Sequence, residues 1–132
     1  MQDRFRCRIW NNLQKEMYYG MGFIYVEPFI HIDCGYTIKM FTINEVKPMQ
    51  CTGLKDKNGK LIYEGDIING TCGVYWGKMI VKFNENEAKF YMYRVDKRYI
   101  DLHFHGKNQE DNFELEVIGN IYENPELLED NK

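Results

Sequence analysis

The chain has 132 residues, 44% apolar, 15% aromatic and 28% charged, with three prolines, a length for one domain and a composition that excludes a disordered or fibrous protein. It contains no serine and a single alanine, Ala88, which excludes a serine hydrolase and argues against a bundle of long helices, whereas thirteen isoleucines and ten tyrosines favour strands. The net charge of −3 is uneven: residues 1–60 hold nine Lys/Arg against six Asp/Glu and residues 61–132 eight against fourteen, so a phosphate-binding surface is expected only on the N-terminal half.

From the N-terminus, Arg4 to Trp10 alternates, with Phe5, Cys7 and Ile9 on one face and Arg4, Arg6 and Arg8 on the other, the pattern of a half-buried strand. Asn11-Asn12 supplies a turn and Met17-Tyr18-Tyr19 the return strand of a hairpin. Phe23–Ile32 is a second extended region, broken or bent at Pro28, and Tyr36–Ile43 a third. Asn58-Gly59, between Leu54-Lys55 and Leu61-Ile62-Tyr63, predicts a type I′ hairpin in which both residues take positive φ. A strand begins at Asp66-Ile67-Ile68 and ends or bulges at Gly70 and Gly73, with a turn at Gly77. Lys78–Phe83 alternates cleanly, Asn84–Glu87 closes it, and Lys89–Val95 runs back. Phe113–Val117 is another strand, followed by a bulge at Gly119. Asn124-Pro125-Glu126-Leu127-Leu128 combines an N-cap residue, proline at the first helical position and an early acid, which predicts a short C-terminal helical turn.

Short strands with glycine and Asx turns and no helical crossovers predict a mainly β, antiparallel barrel-like or sandwich fold. A composition shift near Lys47-Pro48 divides a single domain, 1–132, into an N-terminal β layer (1–48), a barrel-like part (49–122) and a short helix and tail (123–132). The first eight residues carry alternating charge with no apolar stretch after them, and no window approaches a membrane span; a cytoplasmic protein with no membrane partner is expected. Cys7, Cys34, Cys51 and Cys72 form no C-x-x-C pair, so free, mostly buried thiols are expected rather than a zinc or redox site.

The stretch Met49-Gln50-Cys51-Thr52-Gly53-Leu54-Lys55-Asp56-Lys57-Asn58-Gly59-Lys60-Leu61-Ile62-Tyr63-Glu64-Gly65-Asp66-Ile67-Ile68 resembles the signature of the YopX family of bacteriophage and prophage proteins. The opening Arg4–Asn11 is similar to that family's first strand and turn, and Val117–Leu128 to its closing segment. Cys7, Cys51 and Asn11 depart from the family's usual alanine, aromatic and aspartate. The resemblance implies a mainly β, barrel-like fold, a phage or prophage origin, self-association, and no assigned catalytic residue or cofactor.

The chemistry-bearing residues carry competing readings. Glu64 and Asp66, two apart, have the spacing of a carboxylate pair, but Tyr-Glu-Gly-Asp is a turn entering a strand, where a carboxylate accepts backbone N–H bonds. Asp101, His103 and His105 share a face at period two without a close third or fourth metal ligand to complete a zinc site. Cys72 between glycines lacks a neighbouring base for nucleophilic work. Arg4, Arg6, Arg8, Tyr91, Tyr93, Arg94, Lys97 and Arg98, with Tyr99, interleave basic and aromatic side chains as a single-stranded nucleic-acid contact would, although a solvated or carboxylate-paired sheet face accounts for the arginines as well. Tyr18, Tyr19, Phe23, Tyr25 and Phe29 exceed what one strand face can bury, which predicts a self-association surface. The expected function is a non-enzymatic phage or prophage accessory protein, a β-barrel interaction module and homo-oligomer that also contacts other phage or host proteins, without a cofactor; the alternative is a weak single-stranded nucleic-acid binder.

Overall fold

The computed structural model describes residues 5–72, 75–94, 99–100 and 115–129. The chain divides into two compact units, Met1–Gly53 and Leu54–Lys132. As the alternating patterns predict, the fold is mainly β and antiparallel, with short 3-10 turns at Ile43–Glu45 and Pro125–Leu128.

In the first unit β1 (Cys7–Asn11) is central, paired on one side with β2 (Glu16–Gly20) and on the other with β6 (Val46–Lys55). The β1–β2 turn is built by Asn11, whose Oδ1 accepts the N–H groups of Leu13 and Gln14, each at 2.9 Å, an Asx cap that satisfies two backbone donors at once. Every residue of β1 is buried. This corrects the half-buried reading: Arg8 is 3% exposed and Trp10 5%, while Phe5, expected inside, is 59% exposed. A strand with neighbours on both edges and cover on both faces has no solvent side for its arginine.

A three-stranded sheet follows, β3 (Phe23–Val26), β4 (Phe29–Asp33) and β5 (Ile38–Thr42), in the order β3-β4-β5. Val26 pairs with Phe29, so Glu27-Pro28 is a two-residue turn and the second extended region is a hairpin rather than one bent strand. Ile30 and Ile32 point inward with no exposed surface, in a core cluster with Cys7, Ile9 and Val46, against which Phe23, Cys34, Phe41 and Ile43 pack. Gly20 permits the close approach of β2 to β4: a Cβ there would lie 2.3 Å from the Asp33 carbonyl oxygen.

In the second unit the turn from β6 to β7 (Leu61–Tyr63) departs from type I′. Of Asn58 and Gly59 only Gly59 has positive φ, at 84°. Gly59 N–H donates to Asp56 O, Asp56 N–H to Lys60 O, and the Asp56 Oδ1 accepts the N–H groups of Asn58 and Lys60. This is a type I turn closed by a glycine bulge and capped by the aspartate. Beyond it a curled sheet has the order β11-β10-β9-β8-β12, from β8 (Asp66–Cys72), β9 (Tyr75–Asn84), β10 (Lys89–Arg94), β11 (Tyr99–Ile100) and β12 (Glu116–Asn120). Gly77 does not turn the chain; it sits inside β9 opposite Gly70. The ladder shifts between Val117 and Gly119, the bulge that the glycine predicts. Ile62, Ile68, Met79, Val81, Met92, Leu115 and Val117 form this unit's core.

The C-terminal turn forms where proline was expected to start it, but Asn124 does not cap it with its side chain. Its Oδ1 instead accepts the N–H of Asn120, while Asn120 Oδ1 accepts the N–H groups of Tyr122 and Glu123. Lys78 Nζ reaches the carbonyl of Leu127 at 2.9 Å, a cation at the carbonyl end of a helical turn.

Candidate interaction surface

The residues that carry the family signature are spent on the backbone. Asp66 is 1% exposed and its Oδ2 accepts the N–H of Tyr63 at 2.7 Å. Gly65, at φ 89°, donates to Val81 O and accepts from Ile121. Asp56 ties the first hairpin of the second unit to β12 through Val117 N–H, at 2.9 Å. Burial works against the Asp56 charge, but the N–H groups of Val117, Lys60 and Asn58 outweigh it and hold the carboxyl below its ordinary range. Glu64 lies half-buried in the same turn. Asp101, His103 and His105 lie outside the described residues, as does the side chain of Cys72.

The basic and aromatic candidates for nucleic acid separate. Arg6 is exposed while Arg8 is buried. Directly paired residues share a face of a sheet, so Tyr91 and Tyr93 stand on one face of β10 with Lys82 and Ile80, and Arg94 stands on the other, opposite the fully buried Met79. Lys82 Nζ lies 4.5 Å from the centre of the Tyr93 ring, a cation–π contact that occupies one ring face. Arg4, Lys97 and Arg98 lie outside the described residues. The Glu116 carboxylate on β12 lies 3.8 Å from Lys57 Nζ.

Exposed apolar surface is concentrated in the first unit. Of the eleven large apolar side chains exposed among the described residues, all but Phe83 belong to it. In the three-stranded sheet the rows Ile24–His31–Met40 and Val26–Phe29–Thr42 face away from the core. Ile24 is 62% exposed and Ile38 63%, with Val26 and Met40 each at 55%. Because the turn at Glu27-Pro28 reverses the strand, Phe23 and Tyr25 fall on the opposite, core-side face from Phe29. The five aromatics singled out from sequence therefore divide: Tyr19 and Tyr25 are exposed, Phe23 packs on the core, Phe29 is half-buried and Tyr18 meets Phe41 at a tilted angle with ring centres 5.0 Å apart. The aliphatic members of the outer face were missed because aromatic density drew attention to the wrong parity; Glu-Pro flanked by apolar pairs is the signal that marks the reversal.

Beside this face a cleft of about 280 Å³ is lined by Asn11, Leu13, Gln14, Phe29, Met40 and Phe41 among others. That is below the usual size of a small-molecule site and suits one or two side chains. Leu13, at its rim on the β1–β2 turn, is 71% exposed. Among the described residues no helix is long and apolar enough to cross a membrane.

The chain is similar to a solved protein, EF1440 from Enterococcus faecalis, with 28% identity and a TM-score of 0.59 over 93% of this chain and 96% of that one. No curated protein matches it. The family model described as YopX protein matches residues 5–129, nearly the whole length, with the Asp56 turn, the Gly65-Asp66 strand entry and the Gly119–Asn124 closure all inside the match. The chain belongs to the YopX family.

Proposed function

We propose that the protein is a non-enzymatic interaction module that works through the apolar surface of its first unit and associates with copies of itself. The observation that carries this reading is the outward row of Ile24, Val26, Ile38 and Met40 on a sheet whose other face already fills a core. Monomers seldom leave contiguous apolar patches of more than a few hundred Å² in water. The local chemistry supports a binding role over catalysis: Asp66, one member of the Glu64/Asp66 pair that the sequence offered for acid–base work, is buried and its carboxylate accepts the backbone N–H of Tyr63. Family membership supports a phage or prophage accessory role.

Sedimentation velocity across a concentration series tests the association. A weight-average mass that rises above that of one chain supports the reading, and a chain that stays monomeric up to hundreds of micromolar overturns self-association. In that second outcome the outer face is left to a heterologous protein.

A further inference from the structure

We propose that β3 is an open pairing edge that takes β3 of a second copy, antiparallel and centred on Ile24, an inference that rests on the self-association proposed above. Among the described residues, each outer strand of the sheet β3-β4-β5 has one partner, and a bare edge is a template for another strand unless charge, proline or a bulge guards it. The two edges differ in this respect. β5 carries Lys39 in its middle, whereas Gly20–Val26 has no charged residue at all. Ile24, Tyr25 and Val26 are 62%, 58% and 55% exposed, so among the described residues their side chains stand open to solvent along this edge.

The register follows from the hydrogen bonds of the existing ladder. Asp33 N–H donates to Gly22 O at 3.2 Å, and bonded and non-bonded pairs alternate along an antiparallel pair. With Phe23 opposite Ile32 and Ile24 opposite His31, that alternation assigns the bonded pairs to Ile24/His31 and Val26/Phe29. It turns the N–H and C=O of Phe23 and Tyr25 outward, toward the open edge. A two-fold axis perpendicular to the sheet and midway between the Ile24 residues of the two copies brings Phe23 of each copy opposite Tyr25 of the other. All four outward groups of each strand are then used, and the two aromatics become a cross-strand pair on one face. Ile24 meets Ile24 on the other face, as a non-bonded pair with closely approaching backbones.

The uncharged strand also favours its own kind. It meets no like charge in a second copy, and it offers no electrostatic gain to an acidic or basic partner. The area sets the strength. Met21, Ile24, Tyr25 and Val26 contribute roughly 100 Å² apiece if covered, about 400 Å² per copy, which is half of a standard interface. The dimer is therefore weak and dissociates on dilution, with the outer-face residues free to add to it.

Site-directed cross-linking of the full chain tests the register. Ile24→Cys is expected to give a disulfide-linked dimer under mild oxidation by diamide, because a non-bonded antiparallel pair has the Cα separation a disulfide needs. Val26→Cys, four residues from its symmetry mate in this register, is expected to stay unlinked, as is the parent chain with its own thiols. Ile24→Lys, on an exposed position, is expected to weaken the sedimentation-measured association at least tenfold. If the parent chain self-associates but Ile24→Cys does not cross-link and Ile24→Lys associates normally, the edge proposal is overturned while the broader reading survives. If Val26→Cys cross-links as fast as Ile24→Cys, the register is wrong. A chain that is monomeric at every concentration and never cross-links overturns both.

Discussion

The Asp56 Oδ2 accepts the backbone N–H of Val117 at 2.9 Å, across 61 residues of sequence, while its Oδ1 takes the N–H groups of Asn58 and Lys60. One buried carboxylate thus fixes a turn and anchors β12 beside it. Asp56→Asn keeps the shape but replaces one acceptor oxygen with a donor, so at least one backbone N–H loses its partner. The expected cost is about 1–3 kcal/mol in a denaturant titration. Because the folded carboxyl is held below its ordinary value, its stabilisation is fully present above the unfolded pKa of about 4 and is lost as pH falls through the lowered folded value. Asp56→Asn is expected to flatten the acid limb of the stability curve; an unchanged limb would show that the carboxylate is not the anchor.

The turn chemistry gives a second test, one that separates two hairpin geometries. In a type I′ turn Asn58 and Gly59 both need positive φ, and replacing either with a stiffer residue is costly. Here only Gly59 does, with open space around it. Gly59→Val is expected to cost about 1 kcal/mol or more from the left-handed backbone alone. Asn58→Ala is expected to fall within about 0.5 kcal/mol of the parent. Equal losses at the two positions would restore the type I′ geometry.

These residues also show what was legible in the sequence. Strand positions with alternating neighbours and the glycine bulge at 119 are local signals that appear in the structure: within Lys78–Phe83, Met79 and Val81 are fully buried, and of that apolar set only Phe83, near the strand's end, is exposed. The buried state of Arg8 was not legible, because period two says which residues share a face but not whether both faces are covered. Nor was the outer face of β3–β5, since parity counted through Glu27-Pro28 assigns Phe29 to the side of Phe23. The turn type was misjudged because an aspartate two residues earlier competes with Asn-Gly chemistry for the same N–H groups.

Gly119 has a steric task besides its bulge. A Cβ there would lie 2.6 Å from Asn124 Oδ1, the atom that accepts Asn120 N–H. Gly119→Ala is expected to displace that amide and cost about 1–2 kcal/mol, the lost hydrogen bond included. In an Asn124→Gly background the clash has no partner, so the same substitution should cost markedly less. A double-mutant cycle that comes out additive would separate the two residues.

Two glycines near β3 make opposite predictions from one backbone. Gly22 has nothing within 4 Å of a built Cβ and no positive φ, so Gly22→Ala is expected to be neutral or slightly stabilising by restricting the unfolded chain. Gly20 is different. Its Cβ would sit 2.3 Å from the Asp33 carbonyl oxygen and 2.7 Å from Ile32 Cγ1. The first is backbone that cannot rotate away, and the second belongs to a fully buried core residue. Gly20→Ala therefore has to push β2 away from β4, at an expected cost of about 1–3 kcal/mol or more. The same displacement loosens the cover over Cys7, which pairs with Gly20 across β1 and β2 and whose thiol burial, then Cys34, pushes up to about 11. At pH 8 such a thiol is roughly 0.1% thiolate and resists iodoacetamide. Alkylation followed by peptide mass mapping is expected to find Cys7 and Cys51 slow in the parent, the half-buried Cys34 faster, and Cys7 accelerated by Gly20→Ala but not by Gly22→Ala. Equal labelling of Cys7 in the two variants would mean that the β2–β4 contact does not close this side of the core.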